Sequence, residues 1–330
     1  MKKALWTVFI VGLALSLCTA AQARTWKVSH VRPQDTAIDK DLNAFVQDVD
    51  EATNGKINIK VYAASSFGDY TVVQKRVGLG AVEMACQPPA TGADKRFQIQ
   101  YFPYLVKNYD QAKKNFGPDG PLRKEIGKLY GEQGIELLAA WPVYFGGIAL
   151  KEEPKNPGDP TAKKGLKVRV PPMKTFQMLA NNIGYMATPL PFSEAFTAVQ
   201  TGVVDGVIGS GAEGYYASFR DVTNYYVPMN THFEVWYLIA NERMVEGLDK
   251  DEMAGLKAAA QRFEENRWDQ VVEDQKKNEQ RLADYGAEII EITPEDLTKT
   301  AEIVRENVWP EILSDVGTEW GQSVLDNIKE

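Results

Sequence analysis

Hydrophobic and polar positions follow two alternating periods along this chain. Residues 26–31 and 57–62 alternate at the period of a β-strand, whereas apolar residues in the segment 39–52 between them recur at helical spacing. A strand, a helix and a strand in this order predict a parallel pair joined by a right-handed crossover. Similar patterns predict more elements in the same half, namely helices at 70–77, 110–116 and 121–133 and strands at 82–86 and 135–140.

A second series of the same kind begins after Pro154. It has predicted strands at 166–170 and 203–208, with two helices between them, and Ser193 is the predicted N-cap of the second of these helices. The chain has 330 residues, which suits two domains better than one. The pattern therefore predicts an α/β protein of two domains.

A long helical segment at 248–286 carries one apolar stripe among dense charges. A helix of roughly 35 residues spans about 50 Å, which is more than the width of one small domain, so it is long enough to brace both. Thr293 is the predicted N-cap of a C-terminal helix, because a proline and two acidic residues follow it.

The first 23 residues have the composition of a secretory signal peptide. Two lysines precede an apolar run at 4–17, and small residues follow up to Ala23, after which we expect cleavage. The run is shorter than the roughly 20 residues that a membrane-spanning helix needs. We therefore expect an exported protein that is not embedded in the membrane. Cys18 raises the alternative of a lipoprotein, but Leu17 stands where lipid-attachment signals have a small residue.

Charge and cysteine content narrow the possible functions. The formal net charge is -8, and removal of the predicted signal peptide with its two lysines makes it -10. An acidic protein binds nucleic acid poorly, so we expect no nucleic-acid partner. Cys86 is the only cysteine left after cleavage, so an internal disulfide is excluded and the fold must depend on its hydrophobic core.

Motifs of the common enzyme classes are missing from the sequence. The two histidines, His30 and His232, have no metal-chelating spacing, and there is no nucleophile elbow, phosphate loop or dinucleotide-binding glycine motif. The acidic pairs at 152–153 and 264–265 lie in charged segments typical of solvated surface. The sequence therefore predicts no catalytic residue, no metal and no cofactor.

Arg169 is the first candidate for binding chemistry. It lies in the apolar strand 166–170, directly before two prolines, at the end of the strand where α/β sheets bind ligands. A guanidinium is always charged and its planar fork matches a carboxylate through two parallel hydrogen bonds. The alternative is a surface arginine on an edge strand.

The surroundings of Arg169 resemble one family. The segments GLKVRVP at 165–171 and PFSEAFTAVQTGVVDG at 191–206 are similar to those of TRAP (tripartite ATP-independent periplasmic) transporter solute-binding proteins. Weaker similarity covers the rest of the mature chain, for example at His30, in the turn 78–84 and at His232.

That resemblance implies a periplasmic two-domain clamshell with crossing hinge strands. It implies that Arg169 binds the carboxylate of a small organic acid, and that the closed protein delivers this ligand to an integral-membrane TRAP permease. The long helix is expected to span both domains. The expected limits are a signal peptide at 1–23, a first domain at 24–147 plus 238–275, and a second at 148–237 plus 276–330.

Two departures from the family pattern predict a less polar pocket. Gly147 stands where many relatives carry a second arginine, and residues 207–210, Val-Ile-Gly-Ser, replace a common Glu-Asn-Pro. Aromatic residues are frequent nearby, and together they predict a ligand with an aromatic or bulky apolar body. The alternative for each of them is ordinary core packing. They are Trp141, Tyr144, Phe145, Tyr215, Tyr216, Phe233, Trp236 and Tyr237.

We therefore predict a ligand-binding site without catalytic groups. Glu213 or Gln87 is available for an amino group of the ligand, although Gln87 is equally explained by an ordinary turn after a strand. The predicted ligand-binding residues are Arg169, Trp141, Tyr144, Gln87, Phe192, Gly209, Ser210, Glu213, Tyr216 and Trp236.

Two alternative functions remain open at this point. An extracytoplasmic sensor would bind the same ligand and signal to a receptor. An enzyme acting on a carboxylate in the same cleft would use Glu213 and a tyrosine as acid and base.

Overall fold

The structure is a computed structural model, and it describes residues 24–330. The predicted signal peptide and its cleavage site lie outside the described residues. Two mixed β-sheets carry the strands of residues 24–330, with helices packed against them. The expected α/β architecture is confirmed.

The first part of the chain alternates strands and helices as its pattern predicts. Its elements are β1 (Arg24–Ser29), α1 (Ala37–Ala52), β2 (Ile57–Tyr62), α2 (Tyr70–Gly78), β3 (Met84–Gln87), a 3-10 helix (Lys95–Tyr101), α3 (Tyr109–Phe116), α4 (Pro121–Gly131) and β4 (Ile135–Phe145).

The middle of the chain forms most of the second sheet. Its elements are β5 (Gly147–Leu150), β6 (Lys167–Val170), α5 (Lys174–Asn182), β7 (Met186–Pro189), α6 (Phe192–Gln200), β8 (Gly206–Ser210), α7 (Ala212–Phe219), a short 3-10 helix (Arg220–Val222) and β9 (Tyr225–Val227).

The last part returns to both sheets. Its elements are β10 (Phe233–Asn241), α8 (Glu242–Glu246), α9 (Lys250–Asp284), β11 (Glu288–Ile289), α10 (Pro294–Val316) and α11 (Thr318–Leu325).

Each sheet combines parallel strands with one antiparallel strand that enters from elsewhere in the chain. The first sheet has the order β2-β1-β3-β10-β4, with β10 antiparallel to both neighbours. The second has the order β11-β9-β5-β8-β6-β7, with β5 antiparallel to β8 and β9. In both sheets the parallel strands point their carboxyl ends to one side, where α/β proteins place their ligands.

The chain crosses between the sheets at two adjacent points. Gly146 alone separates β4 from β5, and residues 228–232 separate β9 from β10. The two crossings bond to each other, because the Gly146 N–H donates to the His232 carbonyl at 2.8 Å and the Thr231 N–H donates to the Gly146 carbonyl at 2.9 Å. A Cβ on Gly146 would lie 2.3 Å from the His232 ring, so only glycine allows this approach.

The expected domain limits remain a prediction. Residues 233–237, which we placed in the second domain, pair in the first sheet as part of β10.

Helix α9 is a single helix of 35 residues, which confirms the long helix predicted from the sequence. Asp249 caps it through a capping box with Glu252, so its start is fixed by two reciprocal hydrogen bonds. The helix packs against α1 and β4 on the side of the first sheet and against α7 on the side of the second. It therefore braces both halves.

Polar side chains of α9 also cover the free edge of β4. The Arg267 Nε donates to the Pro142 carbonyl at 2.8 Å, and the Gln275 Oε1 accepts from the Phe145 N–H at 3.2 Å. An edge strand presents unpaired backbone groups that favour pairing with other chains. The helix satisfies these groups with side chains and closes the edge.

Two local predictions are corrected by the structure. Ser193 is not the N-cap of α6, because the helix begins after Pro191 and has no side-chain cap. The predicted strand at 203–208 starts later, at Gly206, since the chain turns through 201–205 and leaves Val203 57% exposed. By contrast, Thr293 does cap α10, where its hydroxyl accepts from the Asp296 N–H at 3.1 Å.

None of the helices in residues 24–330 is both long enough and apolar enough to cross a membrane.

We predict that Arg267→Met lowers the free energy of unfolding by about 2 to 5 kcal/mol, because the buried guanidinium supports the carbonyls of β4 and pairs with Asp274. Urea denaturation measures the loss. The matched control is Arg262→Met on the same helix, whose 47% exposed side chain pairs with Asp48, and there we expect a loss of about 1 kcal/mol or less. Equal losses for the two variants would contradict a bracing role for Arg267.

Candidate ligand-binding site

Strand ends, loops and helices from both halves line a cavity of about 30 Å³. A single water needs on the order of 10–15 Å³ by this measure, so the cavity is small. Most of its wall is aromatic or apolar, with three charged side chains. The lining residues are Val31, Arg32, Tyr70, Pro88, Tyr101, Tyr144, Arg169, Pro171, Met173, Phe176, Phe192, Gly209, Glu234 and Trp236.

Arg169 reaches the cavity from β6, which lies between β8 and β7 inside the second sheet. The alternative of a surface arginine on an edge strand is therefore wrong, and the side chain is only 1% exposed. Its Nε donates to the Leu190 carbonyl at 2.9 Å, but its Nη2 has no hydrogen-bond partner within residues 24–330. Burial lowers the pKa of Arg169, yet an arginine stays protonated in proteins. The buried charge of Arg169 thus faces the cavity with its Nη2 unpaired in the described residues, and the nearby Asp69 carboxylate offsets the effect of burial only in part.

Arg32 is a second guanidinium in the wall, and sequence analysis did not identify it. It follows the carboxyl end of β1 and precedes Pro33. This position between a strand end and a proline is the one local feature of the sequence that could have identified it. Its Nη2 and Nε donate to Oε2 of Glu213 at 3.0 and 3.3 Å, and both side chains are buried. Burial opposes the charge, but the neighbouring Glu213 carboxylate and Tyr144 outweigh it and raise the pKa of Arg32. This arginine is already neutralised.

The Phe192 ring is close to both guanidinium groups. Its ring lies 4.9 Å from the Arg32 guanidinium and 5.9 Å from that of Arg169. The Trp236 ring, on β10 of the first sheet, also lies 4.9 Å from the Arg32 guanidinium. Cation–π contacts of this kind hold a charged group at an apolar wall and fix its orientation.

Glycines after β8 allow the two halves to approach closely. A Cβ on Gly211 would lie 2.5 Å from Cγ of Tyr144, and one on Gly214 would lie 2.3 Å from Nη2 of Arg32. Any side chain at these positions would push the first half away from α7.

Gly147 lies against the ring of Tyr226. A Cβ at this position would lie 2.4 to 2.7 Å from atoms of the Tyr226 side chain, so this packing leaves no room for a larger residue.

The structure brings half of the predicted site residues to the cavity wall. Those that line it are Arg169, Tyr144, Phe192, Gly209 and Trp236.

The other predicted residues lie behind or beside this wall. Glu213 pairs with Arg32, and a Cβ on Gly214 would lie 2.1 Å from the Ser210 Oγ, which places Ser210 next to the same pair. Glu213 Oε1 and Ser210 Oγ are buried and have no hydrogen-bond partner in the described part of the chain.

Trp141, Gln87 and Tyr216 do not line the cavity. The Trp141 Nε1 donates to Asp41 at 2.7 Å, and the Gln87 Nε2 donates to the Tyr70 carbonyl at 3.0 Å. The Tyr216 ring lies 5.3 and 5.2 Å from the guanidinium groups of Arg220 and Arg281.

Glu234, Tyr70 and Tyr101 also line the cavity, and sequence analysis did not identify them. Glu234 Oε1 accepts from the Trp236 Nε1 at 2.9 Å, and its Oε2 lies 3.2 Å from the His232 Nε2. Burial raises the pKa of both tyrosines, so their hydroxyls are neutral. No simple pattern marked these residues, because in the sequence they look like ordinary strand and helix positions.

Asp69 joins the two halves beside the cavity. Its Oδ1 accepts from the Thr71 N–H at the start of α2, and its Oδ2 accepts from the Ser193 N–H at the start of α6, both at 3.1 Å. Two helix N-termini thus share one carboxylate, which favours the arrangement electrostatically.

Within residues 24–330, no three His, Cys, Asp or Glu side chains form a group that could hold a metal ion.

Two α/β halves that meet around a buried cavity define the architecture of a bilobed binding protein. The family model for bacterial extracellular solute-binding proteins of family 7, DctP, matches residues 28–314. The chain therefore belongs to this family, the solute-binding proteins of TRAP transporters. These proteins are receptors, so the chain is a binding protein and not an enzyme.

Individual relatives agree with this assignment. The C4-dicarboxylate-binding periplasmic protein of Rhodobacter capsulatus is 26% identical over 318 residues, which cover 95% of this chain and 91% of the relative. A TRAP periplasmic solute-binding protein of Sulfurospirillum deleyianum with bound succinate superimposes with a TM-score of 0.82 at 22% identity, over 93% and 99% of the two chains. An extracytoplasmic solute receptor of Bordetella pertussis that binds pyroglutamic acid gives 0.82 at 21%, over 93% and 100%. The expected clamshell fold is confirmed.

We predict that Gly214→Ala weakens the binding of a stabilising organic acid by at least about tenfold, or about 1.4 kcal/mol. The added methyl group would lie 2.3 Å from the Arg32 Nη2, so Arg32 must leave Glu213 for the cavity to close. Isothermal titration calorimetry measures the change. Gly127→Ala in α4 is the control, since its methyl group has no atom within 4 Å. Equal affinities for both variants would show that Gly214 does not control the approach of the two halves.

Proposed function

We propose that this protein captures a small organic monocarboxylate by closure of its two halves around Arg169 and delivers it to a membrane permease. One observation carries the proposal: a buried guanidinium at the cavity wall has an Nη2 with no hydrogen-bond partner among residues 24–330. An uncompensated buried charge is strongly unfavourable, and a ligand carboxylate removes the penalty through a charge-assisted hydrogen bond.

The wall supports a flat, mainly apolar ligand body. Tyr70, Tyr101, Phe176 and Phe192 present rings to the cavity, and rings of this kind stack on planar groups. The small volume of the cavity favours a ligand body of one ring over a fused ring system. The relative with pyroglutamic acid shows that this fold accommodates a compact cyclic acid in another protein.

Closure follows from the contacts between the halves. The Arg32–Glu213 pair, the Asp69 bridge and the Arg32–Phe192 contact all join residues from opposite sides of the cavity. An open state without them would admit the ligand, and their formation would then exclude water, as in hinge closure of other bilobed receptors. The bonded crossings at Gly146 and His232 are the proposed hinge.

Export and delivery complete the proposal. A signal peptide with cleavage after Ala23 would place the mature protein in the periplasm, which agrees with the printed description of the Rhodobacter relative. A membrane permease of the TRAP type would then receive the ligand from the closed protein.

We predict that Arg169→Met weakens binding of the ligand by about 2 to 5 kcal/mol, because the buried carboxylate loses its charged partner. This corresponds to at least a tenfold loss of affinity, measured by calorimetry. Lys167→Met on the same strand is the matched control, since its side chain is exposed. If Arg169→Met binds as tightly as the parent protein, Arg169 is not the anchor.

The ligand class is tested by thermal shift of residues 24–330 against organic acids. We expect single-ring monocarboxylates such as benzoate, phenylacetate and pyroglutamate to raise the melting temperature by mass action, and indole acids to do so less. Stabilisation only by sugar acids or C4-dicarboxylates would contradict the apolar monocarboxylate and leave the family assignment unchanged.

A further inference from the structure

The cavity wall contains two arginines, but they differ in how much positive charge they offer to a ligand. In the part of the chain that the structure describes, the Arg169 Nη2 has no hydrogen-bond partner, whereas Arg32 donates from Nη2 and Nε to the Glu213 carboxylate at 3.0 and 3.3 Å. The side chains of Arg32 and Glu213 are only 1% and 4% exposed, so water does not screen this ion pair.

The position of Arg32 is tightly determined. Its guanidinium lies 4.9 Å from the ring of Phe192 and 4.9 Å from that of Trp236, and the missing side chain of Gly214 makes room for it. Turning toward a second ligand group would require Arg32 to leave both rings and Glu213.

The remaining charge in the wall is negative. Glu234 is buried at the cavity, and its carboxylate already accepts from Trp236 and lies beside His232. A second carboxylate on the ligand would meet this negative group, while the tyrosine hydroxyls nearby supply no charge.

We propose that the Arg32–Glu213 pair makes the site selective for ligands with one carboxylate and excludes dicarboxylates. The pair occupies the second guanidinium, so a second ligand carboxylate would be buried without a counter-charge. Specificity here arises because the Arg32–Glu213 pair makes the binding of a dicarboxylate unfavourable. This inference depends on the proposed function, in which the first carboxylate binds Arg169.

The test uses succinate and its monoamide, succinamate, which have nearly the same shape but differ by one negative charge. We expect the wild-type protein to bind succinamate at least tenfold more tightly than succinate in calorimetry. Glu213→Gln keeps the shape of the side chain and frees the charge of Arg32, so the preference should fall at least tenfold or reverse.

Glu264→Gln is the matched control. Glu264 is also buried and pairs with an arginine, Arg123, at 3.0 Å, but it lies outside the cavity wall. We expect it to keep the wild-type ratio.

Two results would overturn the inference. One is a wild-type protein with no preference for succinamate, a measurement that does not depend on any variant folding. The other is a folded Glu213→Gln protein with the wild-type ratio. Arg169→Met separates this inference from the proposed function: if that variant loses binding while Glu213→Gln keeps the ratio, the anchor stands and the selectivity device is wrong.

Discussion

The buried charge of Arg169 is the constraint on which the arrangement of the cleft depends. A guanidinium inside a protein needs hydrogen bonds and a counter-charge, and the chain supplies only part of this, through the Leu190 carbonyl. The other two charged side chains of the wall, Arg32 and Glu234, already have partners. Within residues 24–330 the Arg169 Nη2 is left without a partner where the two sheets meet, and a ligand carboxylate is a group whose chemistry completes it.

The frame around this charge is held by contacts distant in sequence. Helix α9 lies along the edge of β4 and contacts both halves, while the crossings at Gly146 and His232 bond to each other. These elements allow the facing surfaces to meet in a defined register. Glycines at 211 and 214 then decide how closely they meet, because any larger residue would displace Tyr144 or Arg32.

Much of the fold was predictable from the sequence because it depends on local patterns. Period-two and helical spacing identified most strands and helices, and the charged, striped segment at 248–286 predicted α9. Arg169 was predictable because a charged residue inside an apolar strand that ends in two prolines is unusual. Ser193 was misassigned as a cap, because its N–H is satisfied by Asp69, a residue 124 positions away.

The remainder of the site was not predictable because it forms by long-range pairing. Arg32 and Glu213 are 181 residues apart, and no local pattern links them. Glu234 alternates normally within a strand and shows its role only when the strand faces the cavity. Trp141 had the same local signal as Trp236, yet it donates to Asp41 and does not line the cavity, since only the tertiary fold decides which aromatic residues face the cavity.

The most direct test of the central claim is a crystal structure of the mature protein with a stabilising organic acid. The account predicts a carboxylate oxygen within about 2.7 to 2.9 Å of the Arg169 Nη2, the usual length of a charge-assisted hydrogen bond. It is contradicted if the acid occupies the cavity and Arg169 still lacks an anionic partner, or if the acid binds elsewhere.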